Sequence, residues 1–192
     1  MSLLKRVDYR GLLGCLGLTI ILWLAIWAEL FRPTKRVLEI IGVALPGLFT
    51  LALVLRFAFS RHKFFLWGAG LMGLLTCREI HFSGTDVGIY VGLLVLLGIV
   101  LVKYDAFKSY LVNRVLINLL AMGFLFYFIS QTTDQRWWQH LPGENAVFVP
   151  LEEFTEVLGH FTVGLALAFC KEARQPERAT PAAKLLTPNS RD

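Results

Sequence analysis

Six apolar stretches, each close to the length of a membrane span, govern what this chain can fold into. They run over 11–31, 37–59, 64–82, 86–104, 112–131 and 151–170. About 20 apolar residues cross a bilayer as a helix, the form that satisfies every backbone polar group where water is absent. Composition agrees. Of 192 residues, 56% are hydrophobic and 17% charged, with a mean hydropathy of +0.60; soluble domains run near about 45–50% apolar and about 25% charged. The low charge and the three cysteines exclude a disordered chain, a coiled coil and a disulfide scaffold. The expected fold is all-α, a polytopic membrane helix bundle of six transmembrane helices. The first stretch is too long and too Trp-rich for a signal-peptide core and lacks a small-residue cleavage site, so it reads as a retained span. Only 132–150 is a long connection, which leaves no room for a water-soluble enzyme domain.

Basic residues mark cytoplasmic loops. With the N-terminus inside, Lys5, Arg6, Arg10, Arg56, Arg61, Lys63, Lys103, Lys108, Arg114 and the five basic residues from Lys171 to Arg191 fall on the cytoplasmic side. Arg32, Lys35, Arg36, Arg78 and Arg136 fall on the other. Both termini are therefore expected in the cytoplasm, with a six-span domain over 1–171 and a disordered tail over 172–192. The formal charge of +5 reflects this topology and contact with lipid headgroups, and no motif for nucleic acid is present. Trp137 and Trp138 read as interfacial anchors. Pro46-Gly47 can kink the second span. Cys15, Cys77 and Cys170 form no C-x-x-C pair and read as small hydrophobes.

The acids are distributed more informatively. Nine of fourteen fall on the outer side in this topology: Glu29, Glu39, Glu79, Asp86, Asp134, Glu144, Glu152, Glu153 and Glu156. Several suit helix starts. Pro150 followed by Glu152 and Glu153 matches a first helical turn, and Ser83-Gly84-Thr85-Asp86 matches a turn and cap. Glu156 and His160 are different, lying about 8 Å and about 14 Å inside the sixth span at 1.5 Å per residue. Ionisable groups at that depth face a partner, a cavity or a pathway. Glu152, Glu156 and His160 recur at i, i+4 and i+8, drifting over only about 80°, and Glu153 shares the same side.

The third span ends in Arg78-Glu79-Ile80-His81-Phe82, bringing a second acid and a second imidazole to the same leaflet. In a regular helix Glu79 and His81 point about 160° apart, so one of them faces the bundle centre, unless Ser83-Gly84 unwinds that end and brings both inward. Glu79, His81, Glu156 and His160 make an oxygen-and-nitrogen ligand set for zinc or another divalent metal. Glu153 or Asp86 would then serve as general base toward metal-bound water, and Arg78 would hold a substrate phosphate or oxyanion. The same residues suit a buried ion-pair network without metal.

Arg-Glu-x-x-Phe at 78–82 with Glu-Glu-x-x-Glu at 152–156 resembles a pattern in small polytopic bacterial membrane proteins. That resemblance implies a multi-pass protein of the bacterial inner membrane and assigns no reaction. The ingredients are also similar to those of the ceramidase and adiponectin-receptor intramembrane hydrolases, which gather Ser, Asp and three His at one leaflet. Ser83, Asp86, His81 and His160 are the matching positions. The late H-x-x-x-H pair is missing, since Gly164 stands four residues after His160, and six spans stand where seven are usual.

Three functions compete. The first is a metal-dependent enzyme acting on a lipid or lipid-linked substrate. The second is a proton or cation transporter using Glu156 and His160, with Asn113, Asn118, Tyr127 and Gln131 as further polar stations. The third is a non-catalytic membrane assembly subunit. Polar residues thin out toward the inner half, which favours a one-sided pocket over a conduction path.

Overall fold

Each apolar stretch folds as one long helix. The structure is a computed structural model describing residues 7–31, 33–80, 85–135, 137 and 144–171. The helices are α1 (Tyr9–Trp27), α2 (Lys35–Ser60), α3 (Lys63–Ile80), α4 (Thr85–Val102), α5 (Tyr104–Leu111), α6 (Arg114–Asp134) and α7 (Val149–Phe169). A π-helical turn, Glu144–Phe148, leads into α7. No strand occurs among the described residues, so the chain is an all-α bundle. The tail over 172–192, Trp138 and the 81–84 turn with His81 and Ser83 lie outside the described residues.

By length and composition α1, α2 and α6 are apolar enough to cross a membrane, and α4 with α5 makes a fourth if that bent pair counts as one span. The remaining two long helices are diluted by their charges: α3 carries Arg78 and Glu79, α7 carries Glu152, Glu153 and Glu156. Leu13, Ile20, Ile21 and Leu24 of α1 and Leu94, Val95, Leu97 and Leu101 of α4 point outward. An apolar perimeter of this extent marks a membrane-associated bundle, because a soluble protein buries such a surface.

α7 lies at the centre, packed on α6, α2, α3 and α1; α3 pairs with α2 and carries α4 on its other side. The end of the bundle opposite the acids is closed by Leu53, Phe64, Phe65, Phe107, Tyr110, Leu116 and Leu167. Polar groups there are absorbed by the ends of helices. Arg56 donates to the Ala168 and Cys170 carbonyls, the latter at 2.8 Å, and stacks over the Phe65 ring at 4.2 Å. It thereby satisfies carbonyls that the last turn of α7 leaves open. Asn113 caps α6 by accepting from the Val115 amide at 2.9 Å, and Asn118 accepts from the Asp8 amide at 2.7 Å.

Two elements differ from the sequence reading. α1 ends at Trp27, short of Phe31, because Glu29 adopts a left-handed φ of 60° and the Leu30 and Phe31 amides turn back to the Ala25 carbonyl. Residues 105–111, read as a connection, form α5 together with Tyr104, bent 92° from α4. Tyr104, Phe107, Tyr110 and Leu111 recur at helical spacing, and Tyr110 stacks on Phe64 with ring centroids 4.2 Å apart. Packing of that one face holds a helix too short to persist alone. Pro46, by contrast, is buried inside a continuous α2.

Candidate functional site

The sixth apolar stretch turns its i, i+4, i+8 face inward. Glu156 is 7% exposed and His160 fully buried, while Glu152 and Glu153 line a cavity above them. Thr155, also fully buried on this helix, donates to the Leu151 carbonyl and adds no group to the site.

α3 supplies the opposing groups from its last turn. The Arg78 guanidinium makes an ion pair with Oε1 of Glu156. Glu79 reaches past it, placing Oε1 3.3 Å from Nε2 of His160. α2 permits this by carrying Gly42 opposite: a Cβ there would lie 3.3 Å from Glu79 Oε2, closer than most side chains tolerate.

α6 supplies Tyr127, whose Oη lies 2.7 Å from Nδ1 of His160. The tyrosine ring packs close against α7 at Gly159, where a Cβ would meet Tyr127 Cε1 at 2.8 Å. Glycine at 159 is what allows the hydroxyl to reach the imidazole.

One ligand atom from each of Glu79, Glu156 and His160 lies within 4.8 Å of the other two. Two atoms bound about 2.1 Å from one tetrahedral ion stand about 3.4 Å apart, so the Glu79–His160 contact already has the length of a coordination edge. Among the described residues, Glu156 Oε1 and His160 Nε2 are buried yet make no hydrogen bond of ordinary geometry. Three protein donors with a cavity beside them match the open coordination of catalytic sites, where structural sites are closed by four. Two oxygens and one nitrogen suit zinc, iron or manganese.

The cavity has a volume of about 940 Å³ and is lined at its acidic end by Lys35, Glu39, Asp134, Glu152 and Glu153 as well as Arg78. Lys35 lies 3.6 Å from Glu39 and 3.8 Å from Glu153, bridging the first turns of α2 and α7.

Of the residues singled out from sequence, Arg78, Glu79, Glu156 and His160 come together and Glu153 lines the same cavity. His81 lies outside the described residues, and so does the side chain of Asp86, whose backbone opens α4. Arg78 pairs with Glu156, keeps 34% of its side chain exposed and lines the cavity. Tyr127 stood in the sequence only as one polar station on a pathway. Its signal was the Gly123–Tyr127–Gln131 repeat, a small-or-polar face in an otherwise apolar helix. Of the other stations, Asn113 caps α6, Asn118 accepts from the Asp8 amide at the start of α1, and Gln131 lines the cavity and donates to Asp134.

Comparison with family models, with curated proteins and with solved structures finds no match for the chain.

Proposed function

We propose that the chain is a six-span protein of the bacterial inner membrane, with both termini cytoplasmic, that binds one divalent metal and hydrolyses a lipid or lipid-linked substrate at the outer leaflet. The observation that carries this reading is the convergence of Glu79, Glu156 and His160 in a buried spot at the edge of a large cavity. With both carboxylates ionised and Arg78 charged, the centre holds one net negative charge. A divalent cation would compensate that buried negative charge, the condition a low-dielectric site favours.

The chemistry divides among the residues by position. Glu79, Glu156 and His160 would hold the ion, which would supply a water acidic enough to deprotonate near neutral pH. Glu153, on the cavity wall, accepts the water proton. When bound, the ion would supply an activated water for attack on an ester or amide carbonyl; Arg78, on the cavity wall, would face the developing oxyanion, and Glu153 would return the proton to the leaving oxygen or nitrogen as the bond breaks. Closure of the opposite end by the Phe64–Tyr110–Leu116 core, and the use of Asn113 and Asn118 on backbone amides at helix starts, speak against a conduction path.

Elemental analysis of the purified, detergent-solubilised protein tests the reading. Stoichiometric zinc, iron or manganese is expected in the wild type, with loss in both His160→Ala and Glu79→Ala. A wild-type protein that takes up no divalent metal, or variants that retain it in full, would overturn the metal centre.

A further inference from the structure

The cavity has a side opening as well as a polar mouth. α4 packs on α3 and α6 on α7, but α4 and α6 share no packed interface among the described residues. Tyr90 of α4 and Phe124 of α6 both line the cavity and both are more than half exposed, at 64% and 57%, so they stand as posts on either side of a gap in the perimeter. That perimeter is the apolar surface already described, so the gap faces acyl chains, not water.

The interior is graded along its length. From Glu152 to Val163 on α7 the cavity runs about 16 Å along the helix. Its deeper part is walled by Leu71, Leu75, Ile89, Leu93, Phe124 and Val163, its outer part by charged groups. A water-soluble substrate has no use for the apolar half. An acyl chain does, since burying it there removes its surface from contact with the polar mouth.

The charges select among lipids. Six carboxylates line the cavity, those of Glu39, Glu79, Asp134, Glu152, Glu153 and Glu156, against only Lys35 and Arg78. A divalent ion at the centre still leaves two negative charges in excess. Lys35 is taken by Glu39 and Glu153, and Arg78 by Glu156. Among the described residues neither Asp134 nor Glu152 makes an ion pair, and Asp134 receives only the amides of Gln131 at 3.2 Å and Gln135 at 3.3 Å. Glu152 is half-buried and Asp134 exposed at the cavity mouth, and a pair of carboxylates without a cation there is matched by a ligand ammonium.

We infer that the ligand is a membrane lipid carrying an amine headgroup, admitted sideways between α4 and α6, with its ammonium beside Asp134 and Glu152 and one chain along Leu93, Phe124 and Val163. Its role as substrate rests on the hydrolase reading, but its binding does not require the metal.

Native mass spectrometry of the full chain, stripped of metal by chelator and equilibrated with equal amounts of phosphatidylethanolamine and phosphatidylglycerol in detergent, tests this. Phosphatidylethanolamine should be retained over phosphatidylglycerol by about fivefold, the size expected for a half-exposed amine–carboxylate pair. Glu152→Gln with Asp134→Asn should bring the ratio to parity. Leu93→Trp should remove both lipids, and Phe124→Trp tests the same wall if the first variant does not assemble. Water-soluble phosphoethanolamine should fail to compete. Equal retention of the two lipids by wild type, a ratio unchanged in the double variant, or competition by phosphoethanolamine would each overturn the proposal. Because the protein is metal-free throughout, a failed metal assay and a failed lipid assay are read separately.

Discussion

Tyr127 Oη and His160 Nδ1 meet at 2.7 Å, so one nitrogen of a fully buried imidazole is held by a hydroxyl while the other is turned toward Glu79. A ligand histidine is oriented in this way, through the ring nitrogen that does not bind the ion. Tyr127→Phe should therefore lower metal affinity by about 10- to 100-fold, the usual range for loss of such a partner. The Phe ring fills the same space, so the bundle should assemble unchanged. Chelator competition on wild type and variant checks it; equal affinities would show that the hydroxyl only satisfies the imidazole.

Gly159→Ala should reproduce much of that loss by a different route. The added Cβ collides with the Tyr127 ring and drives the hydroxyl away from His160. The double variant with Tyr127→Phe should be no weaker for metal than the worse single variant, since both remove one hydrogen bond. Additive losses would separate the two residues.

Arg78→Gln should destabilise the apo protein, because it leaves Glu156 buried beside Glu79 without its cation. Breaking a buried pair from one side costs about 3–5 kcal/mol, and less here since Arg78 is a third exposed. Glu156→Gln in the same chain should restore most of the lost stability. Thermal unfolding in detergent without metal gives the comparison. No recovery in the double variant would mean that Arg78 stabilises through contacts other than Glu156.

The orientation has its own test. Reporter fusions after Arg61, Lys108 and Arg174 should read as cytoplasmic, and fusions within 135–144 as external. A cytoplasmic signal from 135–144 would move the whole site to the inner leaflet.

The bundle was legible in the chain because helix length and apolar content are local properties, and each stretch carries its own. The inward face of α7 was legible for a similar reason: acids and an imidazole spaced by four must share a side. That Glu79 faces inward followed only as one of two choices with His81, since the third span's rotation depends on α2. Gly42, which makes room for the Glu79 carboxylate, has no meaning until α2 is placed against α3. Tyr127 was hidden more deeply. Its role comes from a glycine on another helix 32 positions away, and no spacing along one helix encodes that. α5 escaped because its eight residues are held by Phe64, across the bundle, and not by their own propensity.

The right-angle bend at Lys103 reaches beyond α5 itself. A helix lying across the end of a bundle, with Lys108 outward and Phe107 and Tyr110 inward, has the form of an interfacial helix, and on the proposed topology it would act as a float at the water line that resists vertical sliding. His160 stands about 15 Å along α7 from the Cys170 end that this float accompanies. On the proposed topology the centre would thus be held at a set height in the bilayer, and that height would work as a ruler. On the proposed reading it would determine which bond of an upright lipid comes level with Glu79, Glu156 and His160, so lengthening or removing α5 should shift the position of attack along the lipid without touching a single residue of the site.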